Sequence, residues 1–241
     1  MQRILYLLTA FALLCASCRF MGFRRIKGNG HVASEERHVQ HANRIAVSGS
    51  FDVQLTQGAT TSVKVEADEN LLPHIATDEE GGILRIKPKH NNTSFESEHG
   101  ITIYVTTPTL EQFHISGSGS GIGKSKFTGG DKLSLRISGS GDIDLDINTP
   151  EIRSEINGSG NITLHGETRS ETIQISGMGK YAADELKAED AKVKIAGSGD
   201  VKIFADGTLD VNIAGSGTVL YKGAATVKQK VVGGGEIRKI D

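Results

Sequence analysis

Apolar and polar residues alternate with a period of two through the second half of the chain. Around Gly139-Ser140-Gly141 the odd positions are apolar or glycine and the even positions are polar, and the same alternation surrounds Gly197 and Gly215. A period of two is typical of a β-strand that buries one face. The glycines lie in the buried phase, where a missing side chain lets the backbone bend or approach its neighbour. The pattern predicts an all-β chain.

A Gly-x-Gly motif recurs at a nearly constant interval, which is the sequence signature of a repeat architecture. Successive first glycines recur about every 19 residues along the chain. Six of the seven copies follow an isoleucine and one small or polar residue, and a degenerate copy without the second glycine lies at residues 47–51. The first glycines of the copies are Gly117, Gly139, Gly158, Gly177, Gly197, Gly215 and Gly233.

Two architectures fit a strand repeat of this length. In a stack of hairpins, Gly-Ser-Gly would form a short turn with a residue at positive φ. In a parallel β-helix, each repeat would be one coil and the motif would mark a bend stacked on itself. The buried-phase glycines on both sides of the serine favour the β-helix, because they indicate a bend within continuing strand pairing. We expect regular coils over residues 113–241 and irregular coils with longer connections over residues 44–112.

The N-terminal segment, residues 1–18, has the organisation of an export signal. Arg3 is followed by an apolar run over residues 4–16, which is too short to span a bilayer as a helix. The stretch Cys15-Ala16-Ser17-Cys18 resembles a bacterial lipoprotein box, in which Cys18 is the acylated first residue of the mature chain. The alternative is an ordinary signal peptide cleaved near the same place. Residues 19–43 are polar with little periodicity, and we interpret them as a tether.

Composition narrows the classes of function. The formal net charge is −2 and the pI is near 6.5, whereas a nucleic-acid-binding protein normally has a basic surface. Tryptophan is absent and aromatic residues make up 5%, which removes the usual stacking platform for sugar rings. Cleavage before Cys18 would leave no cysteine free for a disulfide, so that stability would depend on packing. We therefore expect no nucleic-acid partner.

Three features together resemble the putative auto-transporter adhesin head GIN domain family, which is common among Bacteroidetes lipoproteins. They are the lipoprotein box followed by Phe20-Met21-Gly22-Phe23, the segment 44–53, and the tandem Ile-Ser/Ala-Gly-Ser-Gly copies, and the resemblance covers roughly residues 44–235. It implies a right-handed parallel β-helix in the cell envelope, an adhesive role and no established enzymatic activity. Met178 and Gly234 depart from the serine at the middle of the motif, on the predicted outer face.

The serines at the middle of the motif would form a column on the outer face of a β-helix. Such a column can be a polar binding strip, or serine can be the small residue that suits an exposed tight bend. The position after the second glycine faces outward as well. As a candidate binding strip we take the polar residues of three coils: Ser140, Asp142, Ser159, Asn161, Ser198 and Asp200.

An acidic strand resembles the glycine- and aspartate-rich repeats that bind calcium. Asp142, Asp144 and Asp146 alternate on one predicted strand face, and carboxylates are the ligands that calcium prefers. However, the repeat is about twice as long as the nonapeptide of those calcium-binding repeats, and Lys180 occupies the position equivalent to Asp142 in another coil. The spacing therefore favours a solvated acidic face.

Other chemical constellations are weaker. His38 and His41 are close in sequence, near His31, but they lie in a stretch that resembles a linker. Carboxylate pairs of the kind that glycosidases need, such as Asp142 with Asp200, can be assembled on any polar surface, and a shared fold does not establish activity. We predict no catalytic residue, no cofactor and no metal ligand.

These observations predict a non-catalytic, lipid-anchored protein of the cell envelope, an outer-membrane lipoprotein on the periplasmic or the outer surface. Its partners would be the membrane through the lipid anchor, an unidentified glycan or protein, and a second copy of the chain through an end or a side face. The alternatives are an accessory protein of envelope-stress signalling, a carbohydrate-active enzyme and a calcium-binding β-roll.

Overall fold

The computed structural model describes residues 24–241, and the predicted signal peptide, Cys18 and the first residues of the predicted tether lie outside this range. The described residues form strands and one short 3₁₀ turn, Leu72–His74. Among them no helix has the length and apolar character required to span a bilayer. The strands are β1 (Arg24–Lys27), β2 (Val32–Arg37), β3 (Arg44–Gly49), β4 (Asp52–Gln57), β5 (Ser62–Asp68), β6 (Ile75–Glu80), β7 (Ile83–Pro88), β8 (Thr93–Glu96), β9 (Thr102–Thr107), β10 (Gln112–Gly117), β11 (Ser120–Gly123), β12 (Phe127–Thr128), β13 (Lys132–Gly139), β14 (Asp142–Asn148), β15 (Glu151–Gly158), β16 (Asn161–Gly177), β17 (Lys180–Gly197), β18 (Asp200–Gly215), β19 (Thr218–Lys222), β20 (Thr226–Gly233) and β21 (Glu236–Lys239).

The strands stack as parallel coils of about 19 residues, which confirms the predicted all-β solenoid. Each Gly-x-Gly motif is a bend between two parallel sheets. The pre-bend sheet contains the strands that lead into a bend, in the order β7, β3, β10, β13, β15, the second halves of β16, β17 and β18, and β20. The post-bend sheet contains the strands that leave a bend, in the order β9, β4, β11, β14, the first halves of β16, β17 and β18, β19 and β21.

The bends are stacked glycine on glycine. The first glycine of each motif has a positive φ, for example +132° at Gly158. A Cβ atom on Gly158 would collide with the carbonyl oxygen of Gly139 in the preceding coil, and the same holds from Gly117 through Gly233. The amide of the middle residue donates to that carbonyl, as Ser159 does to Gly139 at 2.9 Å. The bends are therefore rungs of the hydrogen-bonded ladder and not hairpin turns.

The core is built from the inward phase of both sheets. Isoleucine, leucine and valine occupy equivalent positions in successive coils, as Ile137, Ile156 and Ile175 do, and they are almost fully buried. The second glycine of each bend also faces inward, because a Cβ there would strike the backbone or an isoleucine of the preceding coil. In the degenerate copy, Phe51 takes the place of that second glycine and is completely buried.

Antiparallel strands extend the N-terminal end of the solenoid, and here the structure differs from the expectation of irregular coils alone. The strand β5 pairs antiparallel with β9, β2 pairs antiparallel with β5, and β6 pairs antiparallel with β7. The coil that contains β3 and β4 lies between the coil of β7 and β9 and the coil of β10 and β11. The strands β3 and β4, which come first in the predicted β-helix domain, therefore form the second coil and not the first.

The stretch interpreted as a tether is ordered from Arg24 onward. The strand β1 pairs with β8, and β2 belongs to the antiparallel extension. Between them, the buried carboxylate of Asp68 accepts a hydrogen bond from the amide of Gly30 at 2.7 Å. A side chain on Gly28 would collide with Asp68, so glycine allows this close approach. The polar composition of the segment thus reflects contacts with residues far along the chain.

One polar cluster lies inside the core, where the two sheets face each other. The Tyr181 hydroxyl donates to Oε2 of Glu171 at 3.0 Å, and Ser154 lies 3.5 Å from the same hydroxyl. Within residues 24–241, Oε1 of Glu171 has no hydrogen-bond partner. Burial raises the pKa of Glu171 to about 8, while the bond from Tyr181 opposes that shift. The carboxyl group is therefore protonated in the folded protein at neutral pH.

The glycine stack predicts a large difference between two neighbouring substitutions. Gly158→Ala introduces both the collision with Gly139 and a strained φ, and should lower the free energy of unfolding by about 3 kcal/mol. Ser159→Ala, at the exposed middle position, should change it by less than about 0.5 kcal/mol. Urea unfolding measures both variants, and equal stability of the two would contradict the stacked bend.

Glu171 predicts a pH-dependent stability. Its pKa is about 8 in the fold against an ordinary value of 4.5, so unfolding releases a proton between these values. The contribution to stability is complete below pH 4.5 and is lost as the pH rises through 8. Urea unfolding of Glu171→Gln should lack this decline, whereas the exposed Glu167→Gln should keep it. A parallel pH dependence in Glu171→Gln and the wild type would rule out this role.

Candidate functional site

The outer surface of the stacked bends forms a narrow strip of small side chains, which we call the bend edge. Two columns of residues define it, one at the middle of each motif and one immediately before the first glycine. The middle column contains Ser50, Ser118, Ser140, Ser159, Met178, Ser198, Ser216 and Gly234. The preceding column contains Ser48, Ser116, Ser138, Asn157, Ser176, Ala196, Ala214 and Val232.

The bend edge is uniform because the glycine stack fixes its backbone. Every residue of the middle column is exposed, and each lies one coil from the next. At about 4.8 Å per coil, the seven intervals between the eight residues of a column give a strip on the order of 34 Å long. Hydroxyl groups dominate its first half. The sequence analysis predicted that the middle column faces outward. It did not single out the preceding column, although the two-residue alternation places these residues on the outer face as well.

A third column of polar residues borders the bend edge on the post-bend sheet. It includes Asp142, Asn161, Lys180 and Asp200, which pair in register in that order. The side-chain amide of Asn161 donates to Oδ1 of Asp142 at 2.6 Å. In the same column, the hydroxyl of Ser120 donates to Oδ1 of Asp52 at 2.6 Å. Within this column, side-chain hydrogen bonds therefore link two pairs of neighbouring coils.

The predicted binding strip falls on these columns in two separate groups. Ser140 and Ser159 are adjacent, and Asp142 and Asn161 are hydrogen-bonded beside them. Ser198 and Asp200 lie two coils further on, because the coil of Met178 and Lys180 intervenes. The side chains of all six residues are exposed. Met178, which separates the two groups, is also exposed, to 66%.

A charged network that sequence reasoning missed lies beside the bend edge, on the pre-bend sheet. Arg136 donates to Oε2 of Glu155 at 2.7 Å, and Asn157 donates to Oε1 of the same group at 2.9 Å. The bond from Asn157, together with Arg136, lowers the pKa of Glu155 against the opposing effect of burial. The register of adjacent coils sets this contact, and the separation of the two opposite charges by one repeat was the signal that could have found it.

The acidic strand β14 has its partners on neighbouring coils. His165 lies 3.1 Å from Glu185 and 3.7 Å from Asp144, and Lys126 lies 3.6 Å from Asp146. Among residues 24–241, no three histidine, cysteine, aspartate or glutamate side chains are arranged to hold a metal ion.

His38 and His41 lie in the connection between β2 and β3, and the ring of His41 contacts Glu79 at 2.9 Å. On the pre-bend sheet, burial lowers the pKa of His114 to about 4, with a contribution from Arg136. The ring of His114 is therefore neutral at pH 7, and it lies 3.3 Å from the hydroxyl of Ser134.

A cavity of about 300 Å³ opens at the N-terminal end of the bend edge. It lies under the connection between β7 and β9, and Ser50 continues the middle column into its wall. The rings of Phe51 and Phe95 pack in a tilted arrangement, with centroids 6.0 Å apart and planes inclined at 50°. The buried hydroxyl of Thr93 has no hydrogen-bond partner within the described chain. The cavity combines apolar walls with free hydroxyl groups.

Solved structures of similar fold include several from Bacteroidetes. A structure described as a putative lipid binding protein from Parabacteroides distasonis is 27% identical, with a TM-score of 0.74, and the match covers 90% of this chain and 100% of that chain. A putative adhesin from Bacteroides fragilis is 21% identical with a TM-score of 0.84, covering 89% and 100%. A putative adhesin from Parabacteroides merdae is 25% identical with a TM-score of 0.72, covering 90% and 100%.

A family model matches residues 42–225, which include all the regular coils except the last. No curated protein matches the sequence. The matched range begins just before β3, so it contains the degenerate bend and most of the bend edge. The chain belongs to the family described as the putative auto-transporter adhesin, head GIN domain.

Proposed function

We propose that this protein is a lipid-anchored, non-catalytic binding module of the cell envelope that contacts its ligand through the bend edge. The observation that carries the proposal is the exposed, uniform strip of hydroxyl-bearing and small side chains held at a constant spacing by the glycine stack. Membership of an adhesin-like family supports it.

The physical properties of the bend edge suit a repetitive ligand. Serine loses little side-chain entropy when it is immobilised, and it both donates and accepts hydrogen bonds. Equivalent groups repeated along a rigid rod can bind successive units of a polymer, so that weak contacts act together. A glycan chain or an extended protein segment has this repetitive character. The lack of tryptophan is consistent with hydrogen bonding rather than ring stacking.

The predicted anchor would hold the N-terminal end of the solenoid near a membrane. Arg24, the first residue of β1, follows Cys18 closely in sequence, and the connection spans at most about 21 Å when fully extended. Arg24 and Arg25 are exposed on β1 and could face anionic headgroups. A structurally similar protein is described as a putative lipid binding protein, which supports a position near a membrane. The remaining coils would then project away from the bilayer.

The anchor is tested by fractionating cells that express Cys18→Ala. Loss of acylation should move the protein from the membrane fraction to the soluble fraction, and Cys15→Ala, inside the predicted signal, should leave it in the membrane fraction. Protease added to intact cells then separates the two orientations: digestion of the wild type indicates the outer surface, and protection until the outer membrane is permeabilised indicates the periplasm. Membrane retention of Cys18→Ala would overturn the lipid anchor.

The binding strip is tested on an array of immobilised polysaccharides and extracellular-matrix proteins. Replacing the six residues of the strip by alanine should weaken binding to any captured ligand by at least about tenfold. A matched variant with Glu167, Lys187 and Glu189 replaced by alanine, on exposed positions away from the bends, should bind normally. Equal binding by both variants would exclude the strip.

A further inference from the structure

The C-terminal end of the solenoid has open strand edges. Within residues 24–241, β20 pairs only with β18, and β21 pairs only with β19. Val227, Val231 and Ile237 occupy the inward phase of this coil, no coil within residues 24–241 covers them, and Val231 is 38% exposed. Such an end presents unpaired backbone groups and apolar side chains together, which is a template for pairing with another strand.

This C-terminal end is basic. Among the residues of β20 and β21, Lys228, Lys230, Arg238 and Lys239 outweigh a single acidic residue, Glu236. In the described part of the chain, none of the three lysines forms an ion pair. Their charges are therefore available to an approaching surface.

The opposite end is acidic. Its open edges are β2, which pairs only with β5, and β6, which pairs only with β7, in the range 24–241. A groove of about 470 Å³ lies between these two strands, and Lys87 and Lys89 line it together with Arg37 and the carboxylates Glu35, Glu36 and Asp78. Together β2 and β6 carry five carboxylates against one arginine, Arg37. The carboxylates are Glu35, Glu36, Asp78, Glu79 and Glu80.

Contacts inside the N-terminal end neutralise some of this charge. Glu35 contacts Arg37 at 3.1 Å, Glu80 contacts Arg85 at 2.9 Å, and Glu79 contacts His41. Glu36 and Asp78 are exposed and form no ion pair within the described residues. Arg37, Arg85, Lys87 and Lys89 offset four of the five carboxylates, so the end keeps a small net negative charge, and Glu36 and Asp78 are its exposed carboxylates without an ion pair among the described residues.

We propose that copies of this protein associate head to tail, the basic C-terminal coil of one against the acidic N-terminal strands of the next. Each sheet of the solenoid runs from an acidic open edge to a basic one, β6 to β20 and β2 to β21, so a second copy continues both sheets. Two C-terminal ends would oppose lysine to lysine, and two N-terminal ends would oppose carboxylate to carboxylate. Only the head-to-tail arrangement brings opposite charges together.

This arrangement is heterologous and does not close, so it generates a chain of copies rather than a fixed dimer. Exposed ion pairs contribute little individually and are screened by salt. The association between two copies in solution is therefore weak, and it depends on ionic strength. On a membrane surface, where the local concentration is high, it would lengthen the rod and extend the bend edge from one copy to the next.

The test is sedimentation velocity of the full-length protein in a non-ionic detergent, over a concentration range of about a hundredfold. The wild type should form species that grow with concentration at about 20 mM salt and disappear at about 500 mM salt. Lys228→Glu/Lys230→Glu should weaken association by at least about tenfold, and so should Glu36→Lys/Asp78→Lys. Lys187→Glu/Lys194→Glu changes the net charge equally, away from both ends, and should associate as the wild type does.

An equimolar mixture of the two end variants decides the arrangement. Each variant has a reversed end that complements the reversed end of the other, so the mixture should regain species that grow with concentration. Circular dichroism confirms that each variant is folded. The proposal is overturned if the mixture stays monomeric, if the mixture stops at a dimer, as pairing of C-terminal ends requires, or if the end variants associate as strongly as the wild type.

Discussion

The whole molecule depends on a backbone contact that only glycine permits. At each bend from Gly117 to Gly233, the first glycine lies against the carbonyl oxygen of the corresponding glycine one coil earlier, and from Ser118 to Ser216 the amide of the next residue donates to that same oxygen. Because this contact repeats from Gly49 to Gly233, adjacent coils stay in register through the bend as well as along the strands. The in-register coils then stack isoleucine, leucine and valine into continuous inward columns. The same register places the middle residue of every motif on one exposed line.

Much of this architecture could be predicted from the sequence because it is periodic. The spacing of the glycines reveals the coils, and the two-residue alternation reveals which side chains face inward. The antiparallel extension could not be predicted in this way. The strand β2 is held by contacts between residues far apart in sequence, such as Asp68 with Gly30, and nothing in a local pattern reports them. The burial of Glu171 could have been predicted, since it is a charged residue in the inward phase. Its hydrogen bond with Tyr181 could not, because that contact depends on the coil geometry.

The candidate site is a consequence of the fold rather than an addition to it. The glycine-stacked bends hold the middle residue of each motif on the exposed surface, where small hydroxyl residues predominate and the long side chain of Met178 is also accommodated. The preceding column changes along the rod from serine in the first coils to alanine and valine in the last, whereas the middle column keeps serine up to Ser216 apart from Met178, which with Lys180 divides the polar region. The two ends are different again: one is extended by antiparallel strands and is acidic, and the other ends in parallel strands and is basic. A solenoid of this kind can therefore present one surface along its length and two others at its ends.

The stacked bend is tested most directly by amide hydrogen exchange at the middle residues of the motif. In this structure the amides of Ser140, Ser159, Ser198 and Ser216 each donate to a glycine carbonyl of the preceding coil at 2.9 Å, although their side chains are exposed. We predict that these four amides exchange as slowly as those of the central strands. Exchange at the rate of exposed loop amides, such as that of Glu98, would contradict the glycine-stacked solenoid and favour solvent-exposed hairpin turns.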